Sequence, residues 1–206
     1  MKTRHKILIG AAAAVALVGC ASTMVQVSEE QAQAALKASF KERGQAKMDR
    51  LDQDDAQKLC SYGPGSPPPD AALQALEKAQ LAQIKYPADG KLLGDWREGE
   101  KIAQSGVGKQ YSDNPAVPSG ANCYACHQIT PQEISYGTIG PSLLGYGRTR
   151  GNSEAVQRYT YGKIYNSEAY KACSNMPRFG HQQILSEKQI KDVTALLLDP
   201  DSPVNK

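Results

Sequence analysis

The chain has 206 residues, with 24 Lys and Arg against 21 Asp and Glu. That length suits one domain with appendages, or two small domains. Lys2, Arg4 and Lys6 lie in an N-terminal segment without an acidic residue. Setting that segment aside leaves 21 basic against 21 acidic residues, a balance that excludes a basic nucleic-acid footprint.

The basic start precedes an apolar run from Ile7 to Val18. A membrane-spanning helix needs about 20 apolar residues, and this run is shorter. It fits the apolar region of a secretory signal peptide. Its end, Leu17-Val18-Gly19-Cys20, resembles a bacterial lipobox. That resemblance implies a lipoprotein signal peptide over residues 1–19, with the Cys20 thiol carrying diacylglycerol. The other readings are an ordinary signal peptide cut near Ala21 and an uncleaved anchor. Two or three acyl chains hold a protein to a bilayer where a single chain does not. Ala21, rather than Asp, after Cys20 resembles the sorting signal for the outer membrane. The expected compartment is the periplasm, with a lipid tether at Cys20.

Residues 20–86 read as a helical extension. Ala35, Leu36, Phe40, Met48 and Leu51 recur at roughly helical spacing, which predicts one or two exposed helices with little core of their own. Residues 61–69, Ser-Tyr-Gly-Pro-Gly-Ser-Pro-Pro-Pro, interrupt them. Asp70 then caps a helix predicted to run through Tyr86, with Ala72, Leu73, Leu76, Ala79, Leu81 and Ile84 near one side.

Residues 87–206 form a second region, of the size of one small domain. Asp95 caps a helix with Trp96, Ile102 and Ala103. Residues 106–120 form a Gly/Pro/Ser-rich loop, and residues 131–151 a second loop that must wrap something. Ser153 caps a helix to about Tyr165. Ser186, with Gln189 three residues on, starts a last helix as a capping box, and Pro200 ends it beyond Leu198. No alternating strand pattern and no repeat appear. The fold class is all-α: three to four helices and long loops, preceded by the extension.

Cys123-Tyr124-Ala125-Cys126-His127 is the C-x-x-C-H attachment sequence of c-type haem, so residues 87–206 are expected to be a cytochrome c domain with its helices and long loops around one haem. Two thiols one turn apart reach the two vinyl positions on one haem edge. His127, next in the chain, falls under the ring. The rivals are a redox dithiol, which wants a βαβ context, and half a zinc site, which needs two further ligands. Haem attachment also requires export, which the signal segment provides.

The five Cys are Cys20, Cys60, Cys123, Cys126 and Cys173. With Cys20 lipidated and two on haem, Cys60 and Cys173 remain. In an oxidising compartment a Cys60–Cys173 disulfide is the simple expectation. The alternatives are two free buried thiols or a bond to another chain. The second axial ligand of the iron is expected to be Met176, in the non-periodic loop Asn175-Met176-Pro177-Arg178-Phe179, with His181 as competitor. A His127/Met176 pair raises the reduction potential relative to two His ligands and leaves no open iron position. In cytochromes c of similar pattern, a Gly-Pro-x-Leu segment passes the His face of the haem. Here that assigns the carbonyl of Pro141 to the imidazole N–H and Leu143 to ring packing; an ordinary turn is the other reading.

Four strings go beyond a generic cytochrome: residues 122–127, residues 134–143, Tyr159-Thr160-Tyr161-Gly162-Lys163-Ile164-Tyr165-Asn166, and Ala172-Cys173-Ser174-Asn175-Met176-Pro177-Arg178-Phe179-Gly180-His181. They resemble SoxX, the monohaem subunit of the sulfur-oxidising SoxAX cytochrome, over roughly residues 94–206. The resemblance implies a heterodimer with SoxA, acting as an L-cysteine S-thiosulfotransferase. SoxAX couples thiosulfate oxidatively to the carrier cysteine of SoxYZ. This chain would accept the electrons and pass them to a small c-type cytochrome, with no catalytic residue of its own. Residues 28–86, not needed by a minimal SoxX, are expected to pack on the partner subunit. The alternative is a stand-alone periplasmic or lipid-anchored electron shuttle; a haem sensor or a structural subunit of a respiratory complex is a third class.

Overall fold

The computed structural model describes residues 27–63 and 65–206. The signal peptide and Cys20 lie outside them. The chain divides into two units, Met1–Phe40 and Lys41–Lys206. In the first, helix α1 (Glu29–Ser39) is started by a capping box of Ser28 and Gln31 and has no buried residue. Its stability is that of an isolated, well-capped helix, with no core behind it.

The second unit contains α2 (Asp55–Cys60), α3 (Asp70–Leu81), α4 (Trp96–Gln104), α5 (Tyr146–Arg150), α6 (Glu154–Tyr165) and α7 (Glu187–Leu198). Single 3-10 turns lie at Met48–Leu51, Cys123–Ala125, Ser167–Ala169 and Pro203–Asn205. Among the described residues there is no strand, only an isolated bridge pairing Arg43 with Ala46. The architecture is all-α, as the absence of alternation implies.

The main core is built on α7. Ser186 and Gln189 close the expected capping box at its start. Ile190, Val193, Leu196, Leu197 and Leu198 are buried, with Tyr161 and Ile164 of α6, Ala103 of α4, Ile129 and Phe179 in the same cluster. Fully burying each such aliphatic side chain contributes about 1.5–3 kcal/mol. Helix α4 meets α7 almost backbone to backbone. A Cβ at Gly99 would lie 2.2 Å from the Asp192 carbonyl oxygen and 3.0 Å from Leu196 Cβ, so only glycine permits this approach. The entry to α4 is also fastened to α7. Asp95 N–H donates to the buried Asp192 carboxylate at 2.9 Å, and Gly94 N–H donates to the Lys191 carbonyl at 3.0 Å. Lys188 pairs with the same carboxylate at 2.7 Å, so the buried charge is compensated.

Three predicted elements differ in extent. Helix α3 stops at Leu81, not Tyr86, because the chain turns over residues 82–84 and the residue before Pro87 is barred from the helical region. The turn buries Ile84, while Leu81 is 48% exposed and Gln80 only 5% exposed. Helix α5 lies inside the segment expected to be loop. Its N-terminal amides at Gly147 and Arg148 donate to Asn205 Oδ1, at 2.8 and 3.2 Å, so its cap comes from the far end of the chain. The extension also differs. Ala56 and Leu76 are buried with Ala172, and Leu59, Leu73 and Cys60 pack on them. From Asp54 to Gln80 it packs on this chain's own segment 166–182, where exposed helices with little core were expected. Residues 45–50 close over the next loop, with Gln45 Nε2 donating to the Gln110 carbonyl at 2.9 Å and Arg43 over the Tyr111 ring.

Gly99→Ala is therefore expected to force α4 and α7 apart and lower stability by about 1–3 kcal/mol, the usual scale of overpacking. The midpoint of chemical denaturation, followed by far-ultraviolet circular dichroism, checks this.

Candidate haem-attachment site

The C-x-x-C-H stretch is delivered by the C-terminal end of α4. Ala121 N–H donates to the Ile102 carbonyl and Asn122 N–H to the Ser105 carbonyl, both at 2.9 Å. Asn122 then takes a left-handed conformation (φ 46°), which Asn tolerates better than most residues. That reverses the chain into the 3-10 turn Cys123–Ala125. Cys126 and His127 N–H both donate to the Cys123 carbonyl, at 3.1 and 2.9 Å. Tyr124 points inward and is buried. Its hydroxyl donates to Glu100 Oε1 at 2.8 Å and lies 3.0 Å from Thr130 Oγ1. Burial pushes this phenol well above its usual range, so it remains a neutral donor pinning the motif to α4.

A second segment runs beside the motif and is laced to it at regular intervals. Gly137 N–H donates to the Tyr124 carbonyl, Gly140 N–H to Cys126 and Leu143 N–H to Gln128, each at 2.8 Å. Ser142 Oγ adds a bond to Gln128 Oε1 at 2.9 Å. The lacing sets the His127 ring. Its Nδ1 lies 2.7 Å from the Pro141 carbonyl, which accepts the ring N–H and leaves Nε2 as the free lone pair. A Cβ at Gly140 would lie 2.1 Å from His127 Cε1, so the backbone itself is the wall behind the imidazole.

Cys123 and Cys126 are free thiols, whereas Cys60 and Cys173 are joined in a disulfide with Cα atoms 5.3 Å apart. Burial pushes the Cys123 thiol up to about 12, the opposite of what a dithiol nucleophile needs. Among the described residues no group of three or more His, Cys, Asp or Glu side chains gathers as a metal site. Cys123 and Cys126 thus have no second ligand pair for zinc.

Met176 is half-buried. It packs on the main core cluster, as do Cys123 and Leu143. Its loop hangs from the end of α6. Ser167 Oγ donates to the Met176 carbonyl, and Gly180 and His181 N–H donate to the Tyr165 carbonyl at 3.0 Å. The His181 side chain lies in the field of Arg178 and Asp54; burial first, then the Arg178 charge, hold its imidazole below the usual range. Arg178 is 7% exposed. Its Nη2 donates to Asp54 Oδ2 at 2.6 Å, while its Nη1 is buried without a hydrogen-bond partner.

Two unpaired thiols and an imidazole fixed through Nδ1 are the groups that a covalently held haem c would take up, and the Met176 thioether packs on the same core as Cys123. Gly140, Tyr124, Glu100 and Ser167 are the positioning residues that sequence reasoning left unassigned. Gly140 alone had a signal, as the glycine before Pro141.

The fold and this site define a c-type cytochrome. Residues 108–199 match the family model for cytochrome c. The chain is also 34% identical to an uncharacterized lipoprotein of Aquifex aeolicus (strain VF5), over 98% of this chain and 100% of that protein. It belongs to the same family as that lipoprotein, with a cytochrome c domain as its matched core. A cytochrome c domain implies covalently bound haem c and electron transfer.

Two outcomes are expected. Cys123→Ala and Cys126→Ala should each leave a single thioether, read as a red-shifted α band of the haem in alkaline pyridine. Gly140→Ala should displace the His127 ring and reduce haem content per chain at least several-fold, measured by the same absorption against protein mass.

Proposed function

We propose that this chain holds one haem c between His127 and Met176 and serves as the electron-transfer subunit of a SoxAX-type cytochrome. The observation that carries the axial reading is the His127 Nδ1–Pro141 contact at 2.7 Å, because it orients Nε2 and makes it a better donor. Met176 supports it as a half-buried thioether on the same core as Cys123. A haem bound here supplies a one-electron iron couple. With both axial positions filled by this chain, no position is left for substrate, so the chemistry belongs on a partner.

The SoxX reading rests on residues 122–127, 134–143, 159–166 and 172–181. On it, thiosulfate is coupled to the carrier cysteine of SoxYZ at SoxA, releasing two electrons. They pass singly through this chain to a small c-type cytochrome. Exposed Ile134 and Ile139, 88% and 73% accessible, flank the His127 loop and suit close approach of a redox partner.

The lipoprotein name of the Aquifex relative supports lipidation of Cys20 and a periplasmic, membrane-tethered location. Among the described residues no helix is long and apolar enough to cross a membrane. A second reading, a tethered shuttle without a catalytic partner, is favoured by the extension, which packs from Asp54 to Gln80 on its own chain.

Two measurements test these points. Met176→Ala should abolish the near-infrared thioether-to-iron band of the oxidised protein, lower its reduction potential and admit carbon monoxide to the reduced form, whereas His181→Ala should leave the band in place. Isolation of the detergent-solubilised native protein should yield a second haem chain of SoxA type; a lone acylated chain would establish the shuttle.

A further inference from the structure

We infer that residues 54–80 are an external brace that keeps Met176 in place, so that the Cys60–Cys173 disulfide controls access to the sixth coordination position. This rests on the His127/Met176 reading above.

Met176 lies in residues 170–186, a stretch with no regular helix. Residues 178–185 turn on themselves through four backbone bonds, but between Ala172 and Pro177 the Met176 N–H to Ser174 Oγ bond is what the stretch supplies for itself, which leaves it little to resist opening. Its restraints come instead from outside, on both sides of Met176 and from four chemistries. Before it, Cys173 is bonded to Cys60, and Ala172 N–H donates to Glu77 Oε1 at 2.9 Å. After it, the buried Arg178 pairs with Asp54 at 2.6 Å, and Gln182 Nε2 reaches the same carboxylate at 3.4 Å. At the loop's root, Asn166 Nδ2 donates to Gln80 Oε1 at 2.9 Å and to the Gln80 carbonyl at 3.3 Å. Next to it, Ser167 holds the Met176 carbonyl. Beneath the disulfide lies the small apolar cluster of Ala56, Leu76 and Ala172.

Cys173 itself is held in a left-handed conformation (φ 58°), an arrangement a non-glycine residue keeps only when its surroundings impose it. The asymmetry of the ties is informative. Glu77, Gln80, Asp54 and Cys60 all reach the Met176 side of the domain, and none reaches the motif at 123–127.

The test exploits the choice of reductant in the intact holoprotein. Ascorbate reduces the haem and spares the disulfide; a phosphine reduces both. Carbon monoxide binds only the fraction of molecules with the loop open, so its apparent affinity reports that fraction. Phosphine treatment, with two new thiols confirmed by titration, is expected to raise carbon monoxide affinity at least tenfold over the ascorbate-reduced protein, with helical circular dichroism retained. If reduction also lowers the helical signal, the Asp54→Ala/Gln80→Ala double variant, which keeps the disulfide, decides. It should weaken the near-infrared band of the oxidised protein several-fold. Unchanged carbon monoxide affinity with both thiols free, or an undiminished band in the double variant, overturns the brace. Persistence of the band in Met176→Ala would instead overturn the axial-ligand reading, and the brace with it.

Discussion

The contact on which the rest of the domain depends is the close crossing of α4 and α7 at Gly99. Because the Asp192 backbone lies where a side chain at 99 would stand, the two helices share one layer of core instead of two. Everything that bears the site leaves from that crossing. The C-terminal end of α4 bonds the chain that enters the motif, through the Ile102 and Ser105 carbonyls. Glu100, one residue past the crossing, receives the Tyr124 hydroxyl. On the other helix, Ile190 and Leu196 form the floor on which Tyr161, Ile164 and Met176 rest. Helix–helix approach and motif placement are thus one geometric fact.

Much of this was legible locally. Capping signals are short-range, so Asp95, Ser153 and Ser186 mark helix starts without reference to the rest of the fold, whereas the helix expected to be capped by Asp70 starts after Pro69 with no side-chain cap. The C-x-x-C-H spacing and the glycine before Pro141 are equally local. What was hidden depends on distant partners. Helix α5 gives no local start signal because its cap is Asn205. Gln80 looks like a solvent residue until Asn166 is opposite it, and Leu81 looks like core until the chain turns away. The extension reads as exposed helices because nothing in its own composition says that Ala172 and Arg178 wait for it. Counting cysteines suggested the pair Cys60 and Cys173; it did not suggest that the pair would close over the Met176 loop.

The domain thereby treats the two residues proposed as axial ligands differently. His127 is held from within, by backbone lacing three residues apart and by a glycine wall, all of it local to residues 124–143. Met176 is held at its carbonyl by Ser167, and the loop on either side of it is tied from outside, by a segment about a hundred residues earlier in the chain. An imidazole fixed by main-chain atoms has no simple way to leave. A thioether secured by side chains and a reducible bond does.

The disulfide joins positions 113 residues apart and so turns residues 60–173 into a covalent ring that contains Cys123, Cys126 and His127. The Pro/Gly-rich stretch that begins at Ser61 lies within that ring, and its residues 61–63 and 65–67 are exposed. A protease cut there would open the ring without dividing the molecule. The N-terminal segment and the half that bears Cys123, Cys126 and His127 would remain one covalent body.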